Sequence, residues 1–113
     1  GDTSAVRDWG WAPEYVDAMC AMATRGSGDD FVLATGEARS IDEFLAAAFE
    51  SAGVKNWQRH VTRSTHLSRV SDPDSLVGNN FKARRLLSWG PRQSFEGVVR
   101  DMLVSDAVAL TRR

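Results

Sequence analysis

The run Ser40-Ile41-Asp42-Glu43 fixes the start of a helix, because a serine at the N-cap accepts the N–H of the third helical residue while a glutamate there reaches back to the cap. Behind it Ile41, Phe44, Leu45, Ala48 and Ala52 recur at helical spacing as one apolar stripe, and Gly53 ends the pattern. A stripe of that width has to be covered by a second element.

Three further helices have readable boundaries. Pro13 suits a first helical turn, and Val16, Met19, Cys20 and Ala23 follow at i, i+3, i+4 and i+7 before Gly26-Ser27-Gly28, which predicts a helix near residues 12–25. Cys20 is expected as a small buried side chain within it. A short helix over Phe81–Ser88 places Ala83, Leu86 and Leu87 on one side, with Lys82, Arg84 and Arg85 facing water. Ser94 caps a last helix in which Phe95, Val98, Val99, Met102, Leu103 and Leu110 face inward. Between the helices, Phe31–Ala34, Trp57–Thr62 and Leu76-Val77 read as short strands. The expected fold class is therefore α/β, a small layered domain of about four helices and a few short strands within one unit of 113 residues.

Composition narrows the function. Fourteen basic and fifteen acidic residues are scattered along the chain, so no general positive field gathers nucleic acid, and an anion has to be gripped locally. No apolar run approaches the roughly 18 residues of a membrane span, and Gly1-Asp2-Thr3-Ser4 lacks the features of a signal peptide, so a cytoplasmic address without membrane contact is expected. His60 and His66 have no cysteine or carboxylate at zinc-site spacing, and no metal is assigned. No glycine-rich dinucleotide turn or phosphate loop occurs, so the chain holds no cofactor site of its own. Tyr15, the only tyrosine, has no lysine four residues on, and the serines lack a nucleophile elbow, so no catalytic residue is assigned.

Two arginines stand apart from the solvated helix faces. Arg7 precedes Asp8-Trp9-Gly10, and Arg69 lies in Ser68-Arg69-Val70-Ser71-Asp72. A guanidinium is permanently charged and presents a planar fork of donors, so two arginines converging from loops suit a diphosphate. An arginine beside an aspartate also forms simple ion pairs, and spacing alone leaves both readings open.

The segment Arg7-Asp8-Trp9-Gly10-Trp11-Ala12-Pro13-Glu14-Tyr15-Val16 resembles a signature of the GDP-mannose 4,6-dehydratases, which are extended short-chain dehydrogenases. The similarity continues in order through Asp30–Glu37, Ser40–Phe44, Gly78, Lys82-Ala83 and Leu87-Ser88-Trp89. The resemblance implies that residues 1–113 are the carboxy-terminal, nucleotide-sugar-binding part of such an enzyme, with the amino-terminal Rossmann domain and its catalytic set lying outside the chain. It further implies GDP-mannose or a related nucleotide sugar as ligand, NADP as cofactor of the complete enzyme, and no turnover by this part alone. Arg7 and Arg69 occupy the places of the two diphosphate-binding arginines, and Asp72, with Asp74 nearby, matches the acidic residue that meets the ribose. Trp9 and Tyr15 are further candidates as groove walls or core. Departures from the pattern are Val70 for the proline after the second arginine, Asn79-Asn80-Phe81 for Asp-Pro-Ser, and Ser88 for a glycine. Two other readings stay open, a different nucleotide-sugar epimerase or reductase and a non-catalytic interaction module. Detached from a cofactor domain, the chain is expected to expose apolar surface from Trp9, Trp11 and neighbouring positions around the first helix, which favours self-association or a mobile amino terminus.

Overall fold

A computed structural model describes residues 2–62, 64 and 75–112. Its elements are β1 (Val6–Asp8), α1 (Ala12–Thr24), β2 (Ala38–Ser40), α2 (Ile41–Ser51), a 3-10 turn (Trp57–His60), β3 (Ser75–Leu76), α3 (Phe81–Leu87) and α4 (Phe95–Thr111). The strands form one sheet in the order β2-β1-β3. β2 runs antiparallel to β1 with Arg7 opposite Arg39, and β3 runs parallel to it with Arg7 opposite Leu76. Arg7 thus sits mid-strand in the centre of the sheet, held from both sides.

The α/β layering matches the expectation, whereas two of the strands do not. Phe31–Ala34 carries no strand ladder, and Trp57–Thr62 gives a 3-10 turn entered from Asn56 in the left-handed conformation. An apolar or aromatic run of four to six residues satisfies a strand pattern and a packed non-ladder segment equally well. The short strands β1 and β2, three residues each, have no periodicity to read.

The capping box at Ser40 forms as expected: its hydroxyl accepts the Glu43 N–H at 3.1 Å, and the Glu43 carboxylate accepts the Ser40 N–H at 2.7 Å. These bonds and the Ser40 hydroxyl hold the Glu43 carboxyl below the usual carboxylate range. Phe44 of α2 stacks on Trp9 with ring centroids 4.6 Å apart and meets Phe95 of α4 edge-on at 6.3 Å. Ser94 caps α4, accepting the Gly97 N–H at 3.1 Å, and Phe95, Val98 and Val99 are buried. Met102 and Leu110, expected inward, are 44% and 70% exposed. The 17 residues of α4 outrun the 11 of α2, and its last turns lose that partner.

α1 packs on α3 through a different face from the one its apolar periodicity suggests. Ala18 joins Ala83 and Trp89 in a core cluster flanked by Tyr15, Phe31, Leu33 and Leu87. Val16 and Met19 are 54% and 60% exposed, and Cys20 is exposed rather than buried. The buried side instead includes a charged residue, Glu14, at 6% exposure. Its carboxylate accepts the backbone N–H groups of Arg92 and Gln93 at 3.0 Å each, and its carbonyl accepts the Trp89 indole N–H at 2.7 Å. The charge is therefore hydrogen-bonded on both sides of the chain turn before α4. No helix of the described residues is long and apolar enough to cross a membrane.

Candidate functional site

Arg7, Asp8, Tyr15, Val32, Leu33, Ala34, Leu76, Val77 and Gly78 line an open cleft of about 380 Å³. That volume lies at the lower end of the range for small-molecule sites, and mostly apolar walls around a few polar groups are typical of them. One wall is the 31–34 segment and the other is β3 with the turn to Gly78; β1 forms the floor. The guanidinium of Arg7 donates one N–H to the Val6 carbonyl at 2.7 Å, folding back along its own strand.

Asp8 fastens both walls to the floor. One carboxylate oxygen accepts the Thr35 backbone N–H and hydroxyl, each at 2.8 Å, and the other accepts the N–H groups of Gly36 at 2.9 Å and Gly78 at 3.3 Å. Gly36 takes a φ of 81°, which presents its N–H to the carboxylate at little cost only because it lacks a Cβ. Asn80 adds a second fastening: its amide donates to the Ala34 carbonyl at 2.8 Å and the Thr35 carbonyl at 3.1 Å, and its side-chain oxygen accepts the Arg84 Nε–H at 3.0 Å. At Gly78 a Cβ would collide with the side chain of Ala34, so the walls meet there without room for any other residue.

Tyr15 lies at the cleft edge with its ring 5.7 Å from that of Trp89 and its hydroxyl against Gly10. Burial, aided by the negative charges of Asp8 and Glu14, pushes its phenol above the ordinary value. Trp9 faces the other way: its indole N–H donates to the Arg39 carbonyl at 3.1 Å and its ring is covered by Phe44, which makes it a packing residue. A second cleft of about 250 Å³ opens beside Trp9, between Arg39, Arg84, Arg92 and Ser94. Its arginines are engaged locally, Arg39 by Glu37 and Glu43 at 3.6 and 3.5 Å, and Arg92 by Asp17 at 2.7 Å.

Of the residues expected to grip a ligand, Arg7 lines the larger cleft; Arg69, Asp72 and the alternative Asp74 lie outside the described residues. The structure adds Asp8, Asn80 and Gly78, which the sequence reading left as an ion-pair partner, a departure from a pattern and a turn. Two fragments of signal pointed to them: an acidic residue inside the most specific segment, and a glycine closing a short strand. Among the described residues no group of histidine, cysteine and carboxylate side chains has the geometry to hold a metal ion.

Helices layered on a three-stranded sheet around this cleft make an α/β domain. The fold is similar to that of Thermotoga maritima UDP-glucose 4-epimerase, solved with UDP-glucose, at a TM-score of 0.75 and 23% identity over all of this chain and 34% of that one. It is also similar to Bacillus anthracis dTDP-glucose 4,6-dehydratase, solved with NAD, at a TM-score of 0.79 and 17% identity over 92% of this chain and 32% of that one. At the sequence level, a family profile described as GDP-mannose 4,6 dehydratase matches residues 1–102. Arabidopsis thaliana GDP-mannose 4,6 dehydratase 1 is 38% identical over the whole of this chain, which covers 31% of that protein. The human GDP-mannose 4,6 dehydratase is 36% identical over 94% of this chain and 33% of its own length. The chain belongs to the GDP-mannose 4,6-dehydratase family, and it spans about a third of the length of these relatives.

Proposed function

We propose that residues 1–113 supply the carboxy-terminal, nucleotide-sugar-binding part of an enzyme that converts GDP-mannose to GDP-4-dehydro-6-deoxymannose and water. The observation that carries this reading is the position of Arg7, mid-strand at the floor of a mostly apolar cleft, within the segment that matches the family most specifically. A guanidinium there offers a fork of donors to a diphosphate, while the apolar walls shelter the ion pair from water. Arg69 is the second diphosphate ligand in this proposal and Asp72 accepts from the ribose hydroxyls. The chain contributes orientation: holding the nucleotide by its charged middle fixes where the hexose projects, which converts the later step into an effectively unimolecular one.

NADP supplies the transient oxidation in a cytoplasmic enzyme of this kind. Among the described residues the one glycine-rich run, Gly26-Ser27-Gly28, follows α1 instead of opening a helix, so its backbone N–H groups do not form a pyrophosphate cradle at a helix start. Binding without turnover is therefore expected of these 113 residues. The exposed apolar side of α1, at Val16 and Met19, is proposed as the face covered by the cofactor-binding part or, without it, by a second copy.

Calorimetric titration with GDP, GDP-mannose and UDP-glucose tests the assignment. Heat with the two guanosine ligands and little with UDP-glucose is the expected result. Preference for UDP-glucose would indicate a different nucleotide-sugar enzyme, and no heat with any of them would favour an interaction module.

A further inference from the structure

Asp8 is placed to do more than neutralise its neighbour. Its two carboxylate oxygens take four donors from two segments distant in the sequence, Thr35 and Gly36 on one wall and Gly78 on the other. A carboxylate has about four acceptor sites, so this one is fully used in tying the walls to β1. We infer that Asp8 is a positioning residue for the nucleotide cleft, setting the separation of its walls and thereby the aim of Arg7 from the adjacent strand position. The inference rests on the nucleotide-binding reading above and adds to it the residue that pre-forms the site.

Three features make the clamp specific to a carboxylate. Three of the four donors are backbone N–H groups, which cannot turn around to accept. At least one of them lies on each oxygen, Thr35 on the first and Gly36 with Gly78 on the second, so an asparagine amide would set its NH₂ against a backbone N–H in either orientation. Gly78 has no room for a Cβ beside Ala34, so the two walls are in direct contact where the clamp closes on them. Arg7 is next to Asp8 in β1 and pairs with Leu76 of β3, while Asp8 itself pairs with Ala38 of β2, so Asp8 holds the end of the strand from which Arg7 projects.

A double-mutant cycle on GDP binding, read by calorimetry with the chain itself, tests this. Asp8→Asn is expected to weaken GDP binding at least about tenfold, while adding Asp8→Asn to Arg7→Ala costs no more than about threefold further, because the arginine whose aim was lost is already gone. A purely structural effect of Asp8 would multiply with the Arg7 effect instead. Losses that multiply, or an Asp8→Asn chain that binds GDP within twofold of the parent, would overturn the inference while leaving the nucleotide reading intact. Should Asp8→Asn fail to give a cooperative melt, the cycle is run with Thr35→Val, which removes the hydroxyl bond to the carboxylate and lies outside the lining of this cleft; losses that do not multiply with Arg7→Ala then support the inference and losses that multiply overturn it. If the unmodified chain gives no heat with GDP, the nucleotide reading itself fails and the positioning role falls with it.

Discussion

Helices α1 and α2 begin from similar sequence signals and end in opposite situations. Both carry an apolar stripe at helical spacing. That of α2 packs on Trp9 and α4 through Phe44 and the residues around it. That of α1 points outward at Val16 and Met19, while Ala18 and a hydrogen-bonded Glu14 take the buried side. Periodicity locates a face that needs cover but carries no information on which partner supplies it. In α2 the cover lies within the chain. For α1 the inner face is held by the Glu14 and Trp89 bonds, and the outer one is exposed at Val16 and Met19.

The contrast can be broken most decisively at Trp89, the buried residue that joins α1 to the rest. Trp89→Ala removes its packing on Tyr15 and Ala18 and its bond to the Glu14 carbonyl, and is expected to cost about 3 to 5 kcal/mol in urea unfolding. A cost below about 1 kcal/mol would mean that α1 is not anchored through its inner face. On the α2 side, Phe44→Ala is expected to cost about 3 kcal/mol, somewhat less because Phe44 is only half-buried. Equal effects of Phe44→Ala and an exposed control such as Arg85→Ala would show that the α2–α4 packing is not what holds that helix. The paired change Val16→Ser and Met19→Ser on the outer face of α1 is expected to shift stability by no more than about 0.5 kcal/mol. Light scattering should then show less self-association than in the parent, whereas a large loss of stability would place that face inside.

The smallest effect sharpens the difference between the two helix starts. Glu43 is held below its ordinary range by the Ser40 backbone N–H first and the Ser40 hydroxyl second. A carboxylate lowered in the folded state contributes stability above its unfolded value, about 4.3 for glutamate, and loses it as pH falls through the lowered folded value. Acid titration followed by amide exchange should therefore loosen the first turn of α2 below about pH 4.3. The first turn of α1, whose N-cap Trp11 makes no side-chain bond, should lack this particular step. Identical acid profiles for the two would remove the capping box as the cause.

Much of this architecture was readable from residues with a strong local mechanism. Ser40 with Glu43, Ser94, and Pro13 each fix a helix start through one or two hydrogen bonds or a preset dihedral, and all three helices appear where those signals put them. Of the sheet only β3, at the expected Leu76, is readable, because the three-residue β1 and β2 are defined by their partners: Val6 pairs with Ser40 and Ser75, contacts that no local pattern encodes. The site divides in the same way. The chemistry of a guanidinium in a specific segment singles out Arg7, and the structure places it in the lining of a cleft. Asp8 was read as an ion-pair partner because its true partners, Thr35, Gly36 and Gly78, are 27 to 70 residues away. Asn80, a departure from the family pattern, proves to bond both the Ala34–Thr35 wall and Arg84.

The central claim is that the cleft over β1 receives the nucleotide diphosphate. Its most direct test is a titration of the isotopically labelled chain with GDP, following backbone amides and arginine Nε–H signals by NMR. Saturable shifts are expected at Arg7, Leu33, Ala34 and Gly78, with the residues around Arg39 and Arg92 in the second cleft unmoved. Shifts confined to that second cleft, or none at the cleft over β1 while GDP binds, would contradict it.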